Sequence, residues 1–175
     1  MAGGAEKVLK LAFPYKDKLN RAWQAIVFNE KYQFYYRGSW WDYTVNLDNN
    51  SWNSIQMVSV DTKDNIVGFF SASIDRESYK ISGISAINFK DVNITFSKDL
   101  YRFLSELFTK YNFRKIEWRV IVGNPAEKLY DKIIKKYGGN VIGIRHETII
   151  TTDGIFRDEK EYEIFKYEYE NRRCL

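Results

Sequence analysis

The segment Lys115–Tyr162 constrains the fold more than any other. It reads KIEWRVIVGNP, then AEKLYDKIIKKYGG, then NVIGIRHETIITTDGIFRDEKEYEIFK. Ile116, Trp118, Val120 and Val122 alternate along Arg114–Val122, the period of a strand with one buried face. Asn124-Pro125 follows, with proline near the first helical position. Leu129, Tyr130, Ile133, Ile134 and Tyr137 then recur at helical spacing, and Gly138-Gly139 supplies a helix stop. Two further strands, Val141–Thr151 and Glu161–Tyr169, flank a turn at Asp153-Gly154. A strand that ends in a Gly-Asn turn at a helix start leaves backbone N–H groups able to hold an extended, phosphate-bearing ligand.

Upstream, Lys7–Phe13 reads as a short strand closed by Pro14, which has no N–H for a ladder. Tyr15–Asn29 places Leu19, Ala22, Trp23, Ile26 and Val27 on one helical face. Glu30–Trp52 is crowded with aromatics but lacks a period; it reads as a helical turn, a loop at Gly38 and a second short helix around Trp40–Leu47. Ser54–Val60, Ile66–Ile74 and Tyr79–Phe89 are strands separated by the polar turns Asp61–Asn65 and Asp75–Ser78, an antiparallel meander. Lys90–Phe96 connects to a helix with Ser97 as N-cap, Asp99 in its first turn and a stripe of Leu100, Phe103, Leu104, Leu107 and Phe108. An early meander followed by alternating helices and strands predicts an α/β layer with a mixed sheet, in one domain spanning 1–175.

Charge and composition exclude several functions. The 175 residues carry a net charge of +4, and Lys and Arg are interleaved with acids. The short basic clusters at Lys132–Lys136 and Arg172–Arg173 read as solvated faces, not the basic stripe of a nucleic-acid interface. There is one Cys, Cys174, and one His, His146, so an internal disulfide and a Cys/His zinc cluster are both out of reach. Any His-dependent nucleophile would have to use His146, which otherwise reads as structural or solvent-facing. No apolar run reaches the roughly 20 residues of a membrane span. The opening MAGGAEKVLKLAFP lacks the shape of a secretory signal, and the expected compartment is a reducing cytoplasm. Aromatics make up 17% of the chain. Most serve a core; Tyr32, Phe34, Tyr35, Tyr36, Trp40, Trp41 and Tyr43 also suit a cation–π contact with an amine.

Taken together, Gly123-Asn124-Pro125, Gly138-Gly139, Arg145, Asp153-Gly154, Asp158 and Tyr162 follow one another as in the GNAT acetyltransferase superfamily, whose ribosomal-protein and spermidine acetyltransferase branch this chain resembles most. The resemblance implies a GNAT-like α/β fold, with a mixed, mostly antiparallel central sheet of about seven strands flanked by about four helices. It implies an N-acetyltransferase that moves an acetyl group from acetyl-CoA to a primary amine, on a protein or a small polyamine. It implies Asn124 at the pantetheine arm, Tyr130 as proton donor to the leaving thiolate, and backbone N–H groups of Ala86, Ile87, Asn88 and Phe89 at the acetyl carbonyl and pantetheine, in a splay between the third meander strand and Arg114–Val122. No carboxylate lies within Tyr79–Phe89, so Glu117 on the neighbouring strand is the candidate base.

One departure stands against these matches. GNAT enzymes wrap the pyrophosphate with a (Gln/Arg)-x-x-Gly-x-(Gly/Ala) loop. Here the segment reads Asn93-Ile94-Thr95-Phe96-Ser97-Lys98, without either glycine. Ser97 and Lys98 at a helix start remain able to meet phosphates by hydroxyl, amide and ammonium. The competing expectation is a catalytically inactive GNAT-like protein acting through a partner surface. The edge of Glu161–Tyr169 is a place for a second copy to pair, with its alternating charges opposing this.

Overall fold

The computed structural model describes residues 9–35, 44–49, 52–90 and 94–173. Strand β1 (Lys10–Leu11) leads through a 3-10 turn at Phe13–Tyr15 into α1 (Lys16–Gln24), and a further 3-10 segment covers Glu30–Tyr35. The meander follows as β2 (Ser54–Val60), β3 (Ile66–Asp75) and β4 (Lys80–Asn88). Next come α2 (Ile94–Thr109), β5 (Lys115–Ile121), α3 (Glu127–Tyr137), β6 (Asn140–Ile150), β7 (Phe156–Phe165) and α4 (Lys166–Arg173). The strands form one sheet in the order β1-β2-β3-β4-β5-β7-β6. Every pairing is antiparallel except that of β4 with β5.

Period-2 patterning sorts the side chains onto two faces. Phe70 and Ala72 of β3 share one core with Ile116 and Trp118 of β5, under α2, α3 and α4. Val58 and Phe69 join Leu19 and Trp23 of α1 in a second core on the opposite face. Among the described residues that second core covers only the meander half of the sheet; beyond β4 the same face carries the charged residues Glu117, Arg119, Glu161 and Glu163. Among the described residues no helix is long and apolar enough to cross a membrane.

Several expectations are corrected. The helix after β4 begins at Ile94, so Ser97 is an interior residue of its first turns and not the N-cap. Phe96, in place of a loop glycine, is an anchor: it stacks on Phe70 at 5.1 Å and lies where a Cβ on Gly68 would stand. Burial of such a ring contributes about 1.5–3 kcal/mol, which explains why this stretch is helix and not a glycine loop. Asp99 is buried deeper in the helix and accepts a hydrogen bond from Ser59 Oγ at 2.5 Å.

The last strand is Phe156–Phe165, and the chain then turns into α4 where an unbroken strand to Tyr169 was expected. The alternation of EYEIFKYEYE hides the break. Glu168 accepts the N–H of Phe165 at 2.9 Å, and Tyr169 stacks on Phe108 at 4.9 Å, so the helix is fixed by a cap and a core contact. Strand β7 lies inside the sheet and β6 forms the edge, so the edge proposed for a second copy belongs to β6. Tyr36, Trp40, Trp41 and Tyr43, the loop at Gly38 and the start of the expected second short helix lie outside the described residues, as do the side chains of Phe34 and Tyr35. Residues 44–47 of that stretch are not helical.

Candidate active site

The parallel strands β4 and β5 pair only where they start, at Lys80↔Lys115 and Ile81↔Ile116. Beyond those two pairs they part, β4 running on to Asn88 and β5 to Ile121, and leave a V-shaped cleft of about 380 Å³ through the sheet. A bulge opposite Ser73/Ile74, where Gly83 pairs with Ser73 and Ile81 with Ile74, bends β4 at the start of the divergence. Helix α2 follows the open end of β4 and α3 follows the open end of β5. Two helix N-termini, with their partial positive charge, thus stand on the side where the V is widest. Phe96 does not line the cleft.

Cross-strand register assigns the two walls. Trp118 sits opposite Tyr162 and Val120 opposite Lys160, on the face under α3. Trp118 stacks on Tyr162 at 5.2 Å, and Tyr130 of α3 meets both rings, at 5.7 Å and 5.9 Å. Glu117 sits opposite Glu163, Arg119 opposite Glu161 and Ile121 opposite Glu159, on the other face. Glu117, Arg119, Glu159 and Glu161 all line the cleft. One mouth is therefore aromatic and the other acidic. Among the described residues no group of side chains is arranged to hold a metal ion.

Tyr130 is 6% exposed and lines the cleft, and its hydroxyl makes no hydrogen bond among the described residues. Burial pushes its pKa up to about 12, so the phenol keeps its proton at neutral pH. Asn124 is buried at the cleft wall and holds the β5–α3 turn: its Oδ1 accepts the N–H of Ala126 at 2.8 Å, and its carbonyl accepts that of Glu127 at 2.9 Å. Gly123 precedes it with φ of 88°, a left-handed conformation that a side chain would strain.

The four backbone donors expected on β4 divide. Phe89 gives its N–H to Val67 O on β3 at 3.0 Å, and Phe89 and Asn88 lie beyond the residues lining the cleft. In an antiparallel ladder the bonded pairs alternate, so Ile87 also turns its amide toward β3, while Ala86 and Ile84 turn theirs toward the cleft. Ala86 is the one expected donor that both lines the cleft and faces it; Ile84 joins it. Ser97 and Lys98 sit in the first turns of α2, Lys98 exposed.

Glu117 is at the closed end of the V, clamped between two cations. Its Oε2 meets Lys80 Nζ at 2.7 Å and its Oε1 meets Lys115 Nζ at 2.7 Å, while Lys115 also reaches Glu163 at 2.6 Å. Burial pushes the Glu117 pKa up, but the hydrogen bonds from Lys115 and Lys80 outweigh it and hold the carboxyl below its ordinary value. With both oxygens engaged, this carboxylate is a poor proton acceptor. Glu161 differs: Oε1 accepts from Arg119 Nε at 3.0 Å, and Oε2 makes no hydrogen bond among the described residues. Glu159 is 1% exposed and accepts from Thr148 Oγ1 at 3.2 Å. Sequence reasoning passed over Glu159 and Glu161. Their signal is the period-2 row Glu159, Glu161, Glu163, which puts three acids on one face of β7. His146, 80% exposed, pairs with Asp158 at 2.9 Å away from the cleft lining.

Similar folds recur among solved structures. The spermidine/spermine N-acetyltransferase SpeG from Vibrio cholerae superposes with a TM-score of 0.62 at 24% identity, over 70% of this chain and 71% of that one. A chimera of the same Vibrio cholerae enzyme with hSSAT gives 0.61 at 23% identity, over 70% and 75%. A probable acetyltransferase gives 0.56 at 16% identity, over 67% and 65%. No family model and no curated protein matches the sequence. The fold is thus that of the GNAT acetyltransferases, with a seven-stranded, mostly antiparallel sheet and four helices.

Proposed function

We propose that this chain is an acyl-CoA-dependent N-acetyltransferase whose acceptor is a cationic primary amine, in the manner of a polyamine. The observation that carries this reading is the divergence of β4 and β5 after two residue pairs. It supplies a slot open on both faces of the sheet, with backbone donors on one strand and a protonated phenol on its helical side. The residues present fit an acyl-CoA arm. Ala86 and Ile84 offer amides, Asn124 shapes the wall, and Lys98 with the start of α2 favours phosphate by charge. That fit does without the family's glycines, because Phe96 is spent on packing.

When bound, the donor supplies an activated thioester carbonyl. Glu161 takes the proton of the attacking amine, directly or through water, so that the nitrogen lone pair forms the C–N bond. The backbone N–H of Ala86 donates to the oxygen on which charge develops. Tyr130 gives its proton to the departing sulfur as the C–S bond breaks; the acylated nitrogen releases its second proton to solvent, from which the phenolate is reprotonated. Glu159 and Glu161, set against the single Arg119, leave the acceptor mouth negative, which favours an amine carrying further positive charge. A cytoplasmic location agrees with the single cysteine, and a second copy pairing on β6 remains an accessory proposal.

Calorimetric titration with acetyl-CoA, followed by turnover with spermidine, a lysine peptide and an acidic amino acid, tests the reading. Saturable binding and a preference for spermidine are expected. No heat at millimolar acetyl-CoA would leave only the scaffold and defeat the enzyme reading.

A further inference from the structure

Trp118 is 2% exposed, lines the cleft, and carries a buried indole N–H with no hydrogen-bond partner. The Tyr130 hydroxyl also lacks a hydrogen bond among the described residues; the indole N–H is the only fully enclosed side-chain polar atom there in that condition. Such an atom in a native structure calls for an explanation, because a buried donor without a partner is strongly disfavoured. Leucine or phenylalanine would fill this side of β5 without the penalty; the flanking residues on the same face, Ile116 and Val120, are wholly apolar. The polar neighbours in the cleft have partners: Glu117 two lysines, Arg119 and Glu161 each other, Asn124 the turn it caps. The ring is also held in place. It lies against Tyr162 with 11° between planes, and Tyr130 stands at 65° to it.

We propose that the indole N–H of Trp118 is a donor reserved for the ligand, given to a carbonyl oxygen of the acyl-CoA arm in the cleft. This rests on reading the cleft as the acyl-donor site. An acyl-CoA arm offers such acceptors in its pantetheine amides and in its thioester. The indole then plays the part that a buried hydroxyl or amide plays elsewhere: it fixes the depth of the arm beside Tyr130.

The test follows the indole signals of protein labelled with nitrogen-15 at tryptophan, the Trp118 signal being assigned by its proximity to Tyr130 and Tyr162 and by its loss in Trp118→Phe. Titration with CoA and with acetyl-CoA is expected to move the Trp118 indole proton downfield, further than any other indole. Movement with both ligands assigns an amide carbonyl; movement with acetyl-CoA alone assigns the thioester carbonyl. Trp118→Phe is expected to bind either ligand roughly tenfold more weakly. The proposal is overturned by calorimetric binding by the wild type with the Trp118 signal unmoved, or by equal affinity in Trp118→Phe. A signal shifted upfield by the Tyr130 ring and unmoved by ligand also overturns it, since the N–H would then be satisfied by that ring. Should Trp118→Phe fail to fold, the wild-type spectra decide. Absence of heat in the wild type removes the acyl-donor reading itself and is distinguishable from these.

Discussion

The two halves of the sheet, β1–β4 and β5–β7–β6, are covered differently. The meander is buried on both sides, Val58 and Phe69 under α1 and Phe70 and Ala72 under α2. Beyond β4, the helices among the described residues cover one side only, and the other bears the row Glu117, Arg119, Glu159, Glu161 and Glu163. A surface that served solubility alone would leave these carboxylates in water, yet Glu159 is 1% exposed. Glu161, held at the cleft with one carboxylate oxygen making no hydrogen bond among the described residues, is disposed toward a ligand and not toward the fold. The comparison teaches that the closed half supplies rigidity and backbone donors, while the half-open one supplies charge.

The strongest way to break that comparison is Glu161→Gln, which keeps an acceptor for Arg119 and removes the charge. Acetyl transfer is expected to fall by about 10²–10³-fold in kcat/KM, with acetyl-CoA affinity measured by calorimetry unchanged within about twofold. Turnover within about threefold of wild type would show the acidic face to be inert. On the opposite wall, Tyr130→Phe is expected to reduce kcat by about 10–10²-fold. Its melting temperature should hold, because the hydroxyl bonds to nothing in the fold. With the phenol pKa pushed up to about 12, the wild-type rate should show no loss from Tyr130 ionisation between roughly pH 8 and 10.

Much of this was legible in the sequence, and what was not has physical causes. The meander, the β5–α3 turn at Gly123-Asn124 and the helical face of Tyr130 follow from local period and turn chemistry, which nearest neighbours decide. The start of α2 was misread because Ser97 has the right side chain for a cap, whereas a tertiary contact, Phe96 over Gly68, extends the helix back to Ile94. The end of β7 was misread because a period of two continues through residues that a cap from Glu168 turns into helix. Glu117 was chosen as base for being on the right strand. Its clamping by Lys80 depends on the single parallel pairing, which no local pattern encodes. Glu159 and Glu161 were missed because β7 enters beside β5 out of chain order.

The closed half yields a stability prediction that leaves the chemistry aside. Gly68→Ala forces a methyl group into the ring of Phe96, which is itself stacked on Phe70. Overpacking of this kind costs about 1–3 kcal/mol, or a fall of roughly 2–12 °C in melting temperature for a chain of this size. Phe96→Leu in the same background should recover part of the loss by withdrawing the ring. Full stability in Gly68→Ala would mean that the start of α2 is not fixed on β3, and the contrast between a rigid and an open half would fail.

The smallest effect is expected at the hinge between the halves, where Glu117 joins Lys80 of β4 to Lys115 of β5. Glu117→Gln deprives Lys80 of its ion-pair partner, while Lys115 keeps Glu163. A loss of about 1–2 kcal/mol, or roughly 2–8 °C at pH 7, follows from removing one side of a partly buried pair. The folded-state pKa of Glu117 is lowered from its ordinary value of 4.5, so its stabilisation is present above that pH and fades as pH falls through the lower, folded value. The gap in melting temperature between wild type and Glu117→Gln should therefore be widest near neutrality and close progressively as the pH falls below 4.5. Acetyl transfer by this variant should stay within about threefold of wild type, set against the far larger loss in Glu161→Gln. If Glu117→Gln instead loses activity as severely, the clamp and the proton acceptor are one residue, and the division of labour between the closed and open ends of the V is wrong.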